Sequence, residues 1–282
     1  MADTLVEIDQ LAARLGDPLW MVFDCRFDLG NPEAGYNAYL AGHVPGAAYA
    51  SLEHHLSGAK SGINGRHPLP EVEALVGFLR SHGVGNETQV VGYDARDGVY
   101  AARLWWLLRW LGHEHVAVLN GGLSAWQSAG LPVDTRSVVT PTVGDFTARR
   151  TNTTSASLAM IEGRDEEKLK IIDARAANRY RGEVEPIDPV AGHIPGALNR
   201  PYTDNLDASG RFLTPQELQK AFQPLVAGAP IEKIVHQCGS GVTACHNLLA
   251  MEIAGMHGSL LYPGSWSEWC TNPQHPVAKG DE

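Results

Sequence analysis

Ala41-Gly42-His43-Val44-Pro45-Gly46-Ala47 recurs as Ala191-Gly192-His193-Ile194-Pro195-Gly196-Ala197, with six of seven residues identical at an offset of 150. Upstream, Val22-Phe23-Asp24-Cys25-Arg26 recurs as Ile171-Ile172-Asp173-Ala174-Arg175, at offset 149. Downstream, Val90 to Asp94 matches Ile234 to Cys238 at offset 144, and Gly98-Val99 matches Gly241-Val242 at offset 143. Gly121 to Trp126 then matches Gly264 to Trp269, again at offset 143. Blocks that recur in the same order with slowly drifting offsets mark two tandem copies of one domain. The period is far longer than the roughly 20–50 residues of solenoid repeats.

Within each copy, short apolar runs alternate with helical patterns. The first copy has strand-like runs at Trp20 to Asp24, Gln89 to Tyr93 and Val116 to Leu119. Its helical segments are Leu69 to His82 and Ala101 to Leu111. The second copy repeats the scheme with runs at Lys170 to Asp173, Lys233 to Gln237 and Ser259 to Tyr262, and helices at Thr214 to Phe222 and Val242 to Met256. Such alternation predicts an α/β fold, each copy a mostly parallel sheet flanked by helices. The Thr-, Ser- and Arg-rich stretch from Asp134 to Ser157 has no sustained apolar period and reads as a linker. The expected domains are therefore 1–135 and 156–282, joined by 136–155.

Composition agrees with two globular domains: 282 residues, 44% hydrophobic and 19% charged. The net charge of -10 argues against a nonspecific nucleic-acid binder, although a local cluster of arginines can still hold an anion. Four cysteines without a Cys-x-x-Cys pair make neither a disulfide framework nor a zinc ribbon. No metal is expected. Met1 to Gln10 lacks a secretory pattern, and no apolar run approaches 18 residues, so a cytoplasmic protein with no membrane partner is expected.

In parallel sheets, ligands sit beyond the carboxyl ends of the strands. That rule selects Cys238-Gly239-Ser240-Gly241-Val242-Thr243-Ala244, which follows one strand and opens a helix. The glycines allow a loop whose successive N–H groups turn inward as an anion nest. The helix N-terminus adds positive potential. An ordinary thiol is only about 3% ionised at pH 7, and this setting favours the thiolate that a nucleophile requires. The first copy carries Asp94 at the matched position, in a loop one residue longer, and is expected to be catalytically degenerate. Cysteine phosphatases carry an arginine six positions after the cysteine. Ala244 stands there, which disfavours phosphate-ester hydrolysis.

Taken together, the tandem copies, the two Asp-x-Arg segments, the Gly-His-Ile-Pro-Gly-Ala segment, the cysteine loop and Gly264-Ser265-Trp266-Ser267-Glu268-Trp269 resemble the two-domain rhodanese sulfurtransferases. The loop is similar to the 3-mercaptopyruvate branch, because Gly239 and Ser240 stand where the thiosulfate branch carries cations. The resemblance implies sulfur transfer from 3-mercaptopyruvate to a thiol or cyanide through a Cys238 persulfide. No cofactor other than that covalent intermediate is implied. The implied partners are a small-molecule sulfur donor and a thiol acceptor such as thioredoxin or glutathione. The alternatives are a thiosulfate sulfurtransferase and a non-catalytic persulfide carrier.

The resemblance also implies a Ser-His-acid relay on Ser240, His67 and Glu53. Gly239, Gly241, Val242 and Thr243 would form the anion nest. The family holds its donor's carboxylate with two arginines. Arg179 matches the first, but Ile187 stands in place of the second, which leaves Arg181 or Arg200 as substitutes. His43 and His193 are expected to bond the backbone rather than a metal. Cys245 reads as core and Cys25 and Cys270 as structural, while Trp105, Trp106 and Trp110 read as core and domain interface.

Overall fold

The computed structural model of the chain describes residues 4–136, 142–149, 151, 153–165 and 169–281. Part of the expected linker, at 137–141, 150 and 152, lies outside them. The chain divides into two compact units. The first holds residues up to Gly58, Leu69–Thr151 and Ala208–Phe212; the second holds Ala59–Pro68, Asn152–Asp207 and Leu213 onward. Residues 59–68, which the repeat assigns to the first copy, therefore pack with the second unit.

The first unit is built on β1 (Leu5–Val6), β2 (Trp20–Asp24), β3 (Ala48–Tyr49), β4 (Gln89–Tyr93) and β5 (Val116–Leu119). Their order is β1-β5-β4-β2-β3, and each adjacent pair is parallel. The second unit has β6 (Lys170–Asp173), β7 (Leu198–Asn199), β8 (Ile234–Gln237) and β9 (Leu260–Leu261), ordered β7-β6-β8-β9 and again parallel. The counterpart of β1 survives as one parallel bridge from Ser155 to Leu261, so the repeat extends into residues expected as linker.

All five residues of β4 and all four of β8 are buried, as expected of central strands covered on both faces. Each is followed by a largely buried helix, Val99–Trp110 or Thr243–Ile253, in which Trp105 and Trp106 are core and Cys245 is fully enclosed. The helix Pro215–Val226 starts on a capping box: Thr214 Oγ1 accepts the Glu217 N–H, and Glu217 accepts the Thr214 N–H. A cap of this kind is worth about 1 kcal/mol. Lys233 ends a short 3-10 turn rather than opening β8, and the strand expected over 259–262 contracts to β9.

The repeated segments have the same internal geometry. Arg26 pairs with Asp24 and donates to the Gly42 carbonyl at 2.7 Å; Arg175 pairs with Asp173 and donates to the Gly192 carbonyl at 2.8 Å. His43 Nδ1 lies 2.8 Å from the Tyr39 carbonyl and its ring stacks on Tyr39; His193 does the same with Tyr180. These histidines and Asp-x-Arg pairs clamp the turn that follows the first long strand of each copy.

Candidate active site

The loop after β8 is tied down by the segment that contains Trp266. The Cys238 N–H donates to Ser265 Oγ at 3.1 Å. The carbonyls of Cys238 and Gly239 accept the N–H groups of Trp266 and Ser267. Gly241 has a φ of 75°, and a Cβ there would meet the Pro263 carbonyl at 2.5 Å, so both backbone and space demand glycine. Cys238 is 2% exposed and Val242 is buried, while Thr243 opens the helix and is half-buried. Among the described residues, no acceptor takes the backbone N–H of Gly239, Ser240 or Val242. A cluster of unsatisfied donors at a helix N-terminus is suited to hold an anion.

In the matched loop of the first unit, a side-chain carboxylate takes backbone donors. Asp94 accepts the N–H groups of Gly98 and Tyr100 at 2.9 Å each, and those of Arg96 and Ala101 at 3.2 and 3.4 Å. Burial pushes the Asp94 carboxyl up to about 6, helped by Asp97, against the lowering pull of those amides. A carboxylate thus sits in the first loop where the second presents a sulfur.

Beside the cysteine loop, His67 Nδ1 lies 2.8 Å from Ser240 Oγ, with His67 2% and Ser240 7% exposed. Residues 59–68 bring His67 to the second unit, where the Arg66 N–H donates to Ser267 Oγ. Arg66 Nη1 donates to Asp188 Oδ1, and Arg179 Nη2 donates to Asp188 Oδ2 at 3.2 Å. Arg179 also donates to both oxygens of Glu185. Burial raises the Glu185 carboxyl, but Arg179 and the amides of Asp188 and Ile187 outweigh it and leave it below the usual range. Burial dominates at Asp188 and raises its carboxyl despite Arg66 and Arg179.

Arg175 completes the cluster. It pairs with Asp173 at 2.7 Å, approaches Glu185 at 3.5 Å and lies over the Trp266 ring at 5.0 Å. Burial works against its charge, and Asp173, Glu185 and Cys238 outweigh that effect and raise its pKa. Three guanidiniums face three carboxylates, so the cluster around the loop is formally neutral.

The second unit therefore brings together Cys238, Gly239, Ser240, Gly241, Val242, Thr243, Arg179 and His67. Glu53 is half-buried and lies in the first unit. The Ile187 side chain is exposed and contributes only its N–H, which donates to Glu185. Neither substitute cation supports the loop: Arg181 pairs with Glu183, and Arg200 bonds Asn205 and the Asp204 carbonyl. Sequence reasoning missed Arg66, Asp188 and Ser265. Adjacency to His67 was the available signal for Arg66. Cys245 donates to the Gly241 carbonyl, while burial pushes the Cys25 thiol well up and the Cys270 thiol to about 11. Among the described residues, no group of His, Cys, Asp and Glu could hold a metal, and no helix is long and apolar enough to cross a membrane.

Comparison with known proteins bears directly on this geometry. The model of the rhodanese-like domain matches residues 7–129 and 158–272. A protein of Pseudomonas aeruginosa named as a probable 3-mercaptopyruvate sulfurtransferase is 48% identical over 281 residues, covering 98% of each chain. A protein of Mycobacterium tuberculosis, provisionally named a thiosulfate sulfurtransferase, is 38% identical over 288 residues, covering 98% of this chain and 97% of its own. The crystal structure of a 3-mercaptopyruvate sulfotransferase from Escherichia coli superposes with a TM-score of 0.79 at 33% identity, covering 94% of this chain and 99% of that one. With two matched regions and relatives similar over nearly its whole length, the chain belongs to the rhodanese family as a tandem pair of rhodanese-like domains.

Proposed function

We propose that the chain is a sulfurtransferase that takes sulfur from 3-mercaptopyruvate onto Cys238 and passes it to a thiol. The observation that carries this reading is the Cys238 loop, whose Gly239, Ser240 and Val242 amides have no acceptor among the described residues, with the His67–Ser240 pair beside it. The name of the Pseudomonas aeruginosa relative supports the same donor.

In the first half-reaction the Cys238 thiolate attacks the donor's sulfur. The S–S bond forms as the donor's C–S bond breaks, and the bonding pair leaves on carbon as the enolate of pyruvate. Carbon is reduced and sulfur oxidised to the sulfane level, so no outside redox partner is needed. The proton lost by the donor's thiol is the one the enolate carbon requires. Ser240 and His67 carry it in this reading, which their 2.8 Å contact supports, histidine being suited to proton transfer near neutral pH. The loop amides hold the persulfide anion. In the second half-reaction an acceptor thiolate attacks the outer sulfur and releases the Cys238 thiolate. A thiol such as glutathione or thioredoxin serves, as does cyanide.

The test is the initial rate with 3-mercaptopyruvate and with thiosulfate, using a dithiol acceptor, for the wild type and Cys238→Ser. Cys238-dependent preference for 3-mercaptopyruvate is the expected result. Preference for thiosulfate would favour the reading suggested by the Mycobacterium tuberculosis relative. Loading of one sulfur atom without turnover, seen by mass spectrometry, would make the chain a persulfide carrier.

A further inference from the structure

The two copies treat one buried position differently. In the first unit, Tyr93 ends β4 opposite Asp24. Its hydroxyl donates to Asp24 Oδ2 at 2.7 Å and accepts the Val44 N–H at 3.1 Å. In the second unit, Gln237 ends β8 opposite Asp173, so these two side chains share one face of the sheet. Asp173 and Ile194 match Asp24 and Val44 in the repeat. Their surroundings match as well. Asp173 holds Arg175 through the same atoms by which Asp24 holds Arg26. The Ile194 carbonyl accepts the Ala197 N–H, as the Val44 carbonyl accepts that of Ala47.

The remaining hydrogen bonds do not match. Gln237, Asp173 and Ile194 are fully buried. Among the described residues, neither Oε1 nor Nε2 of Gln237 has a partner. Nothing among them accepts the Ile194 N–H, and no hydroxyl donates to Asp173 Oδ2 as Tyr93 does to Asp24. A carboxamide ends nearer its strand than a phenol hydroxyl does, and here it reaches neither group. Buried polar groups are ordinarily paired, because an unpaired one forfeits the bonds it had to solvent. Buried water serves such groups, typically with about three hydrogen bonds.

We propose that the second unit binds one buried water at the place of the Tyr93 hydroxyl, between Asp173 Oδ2, the Ile194 N–H and the Gln237 carboxamide. The water accepts from Ile194, donates to Asp173 and gives its second hydrogen to Gln237 Oε1. The site suits water better than a cation. The Ile194 N–H turns the positive end of its dipole into it, and Arg175 already neutralises the carboxylate. The bound water ties the turn at 192–197 to the strand that ends at Cys238. The first unit makes the same tie directly, through a side chain. The site is independent of which sulfur donor the protein takes.

Crystal structures of the wild type, Gln237→Tyr and the reciprocal Tyr93→Gln test the assignment. The wild type should show one water at about 2.7–3.2 Å from Ile194 N, Asp173 Oδ2 and the Gln237 carboxamide. Gln237→Tyr should place its hydroxyl there and expel the water. Tyr93→Gln should admit a water between Asp24 and the Val44 N–H. A wild-type carboxamide bonded directly to Asp173 or Ile194, with no water, would overturn the proposal. An anomalous peak at the site in crystals grown with rubidium chloride would overturn it too, by marking a cation.

Thermal unfolding supplies an independent sign. Without a water, Gln237→Met removes an unpaired buried amide and should be neutral or stabilising. With the water bound, the same change strips it of a partner, and the midpoint should fall by about 2–4 °C or more. Gln237→Tyr, which supplies the hydroxyl itself, should recover that loss. An unchanged or raised midpoint in Gln237→Met would count decisively against the bound water.

Discussion

His67 Nδ1 and Ser240 Oγ are 2.8 Å apart and both are nearly closed to solvent, although 173 positions separate them in the chain. The pair exists because residues 59–68 leave the first copy of the repeat and fold with the second. General acid–base transfer contributes about 10²–10⁴-fold to catalysis. His67→Gln should therefore lower kcat with 3-mercaptopyruvate by about 10²-fold or more. The half-reaction that discharges preloaded persulfide to an acceptor thiol should change much less, since no carbanion is protonated there. Single-turnover measurement of the two half-reactions checks this, and equal losses in both would argue against a role in proton delivery.

Asp188 offsets the charge of the two arginines above Gly239. Asp188→Asn adds one net positive charge to the cluster without removing either guanidinium. The ratio of thiosulfate to 3-mercaptopyruvate turnover should rise, because a dianion gains more than a monoanion from the added charge. Competition assays with both donors present measure the ratio; a fall would mean that the orientation supplied by Asp188 matters more than its charge.

Ser265 has a φ of 54°, a region that costs a non-glycine residue about 1–2 kcal/mol. Its hydroxyl accepts the Cys238 N–H and donates to the Tyr262 carbonyl at 2.8 Å. Ser265→Ala keeps the strain and loses both bonds, a loss of about 1–3 kcal/mol for each buried group left unsatisfied. Ser265→Gly loses the bonds but relieves the backbone. Thermal unfolding should rank wild type above Ser265→Gly, and Ser265→Gly above Ser265→Ala.

His236 on β8 is fully buried, and burial lowers its pKa to about 3. Between the unfolded value of about 6.5 and that folded value, only the unfolded chain binds the proton, so this group loses stability as pH falls. Asp94 acts in the opposite sense below about 6, because its folded form takes up a proton first. Comparison with His236→Leu isolates the histidine. The stability advantage of the wild type should shrink by up to about 1.4 kcal/mol per pH unit below 6.5. Denaturant melts at pH 7 and pH 5.5 test it, and a constant difference would refute it.

The sequence disclosed the fold because duplication wrote it twice, and the central strands were long enough to read. Trp20 to Asp24, Gln89 to Tyr93, Val116 to Leu119 and Lys170 to Asp173 appear with the expected bounds. The two-residue strands β1, β3 and β7 escaped, since no periodicity can be read in so short a run. The nucleophile's loop was legible for a local reason: its glycines, cysteine and helix start are contiguous. The cations were not. Arg66 reaches Gly239 through the exchange of residues 59–68 between the units, a tertiary event with no local signature. Asp188 has no local signature either, since its two oxygens meet two different arginines only in the folded chain.

The carboxylate of Asp94, bound to four amides of the first loop, gives the molecule an internal standard for isotope exchange. Amide deuteration of Gly98 and Tyr100 should be slow whether or not sulfur is loaded. Gly239, Ser240 and Val242 should exchange quickly in the resting protein and slow once a persulfide anion occupies their loop. The duplicated copy would then calibrate, within one spectrum, how completely its partner is charged.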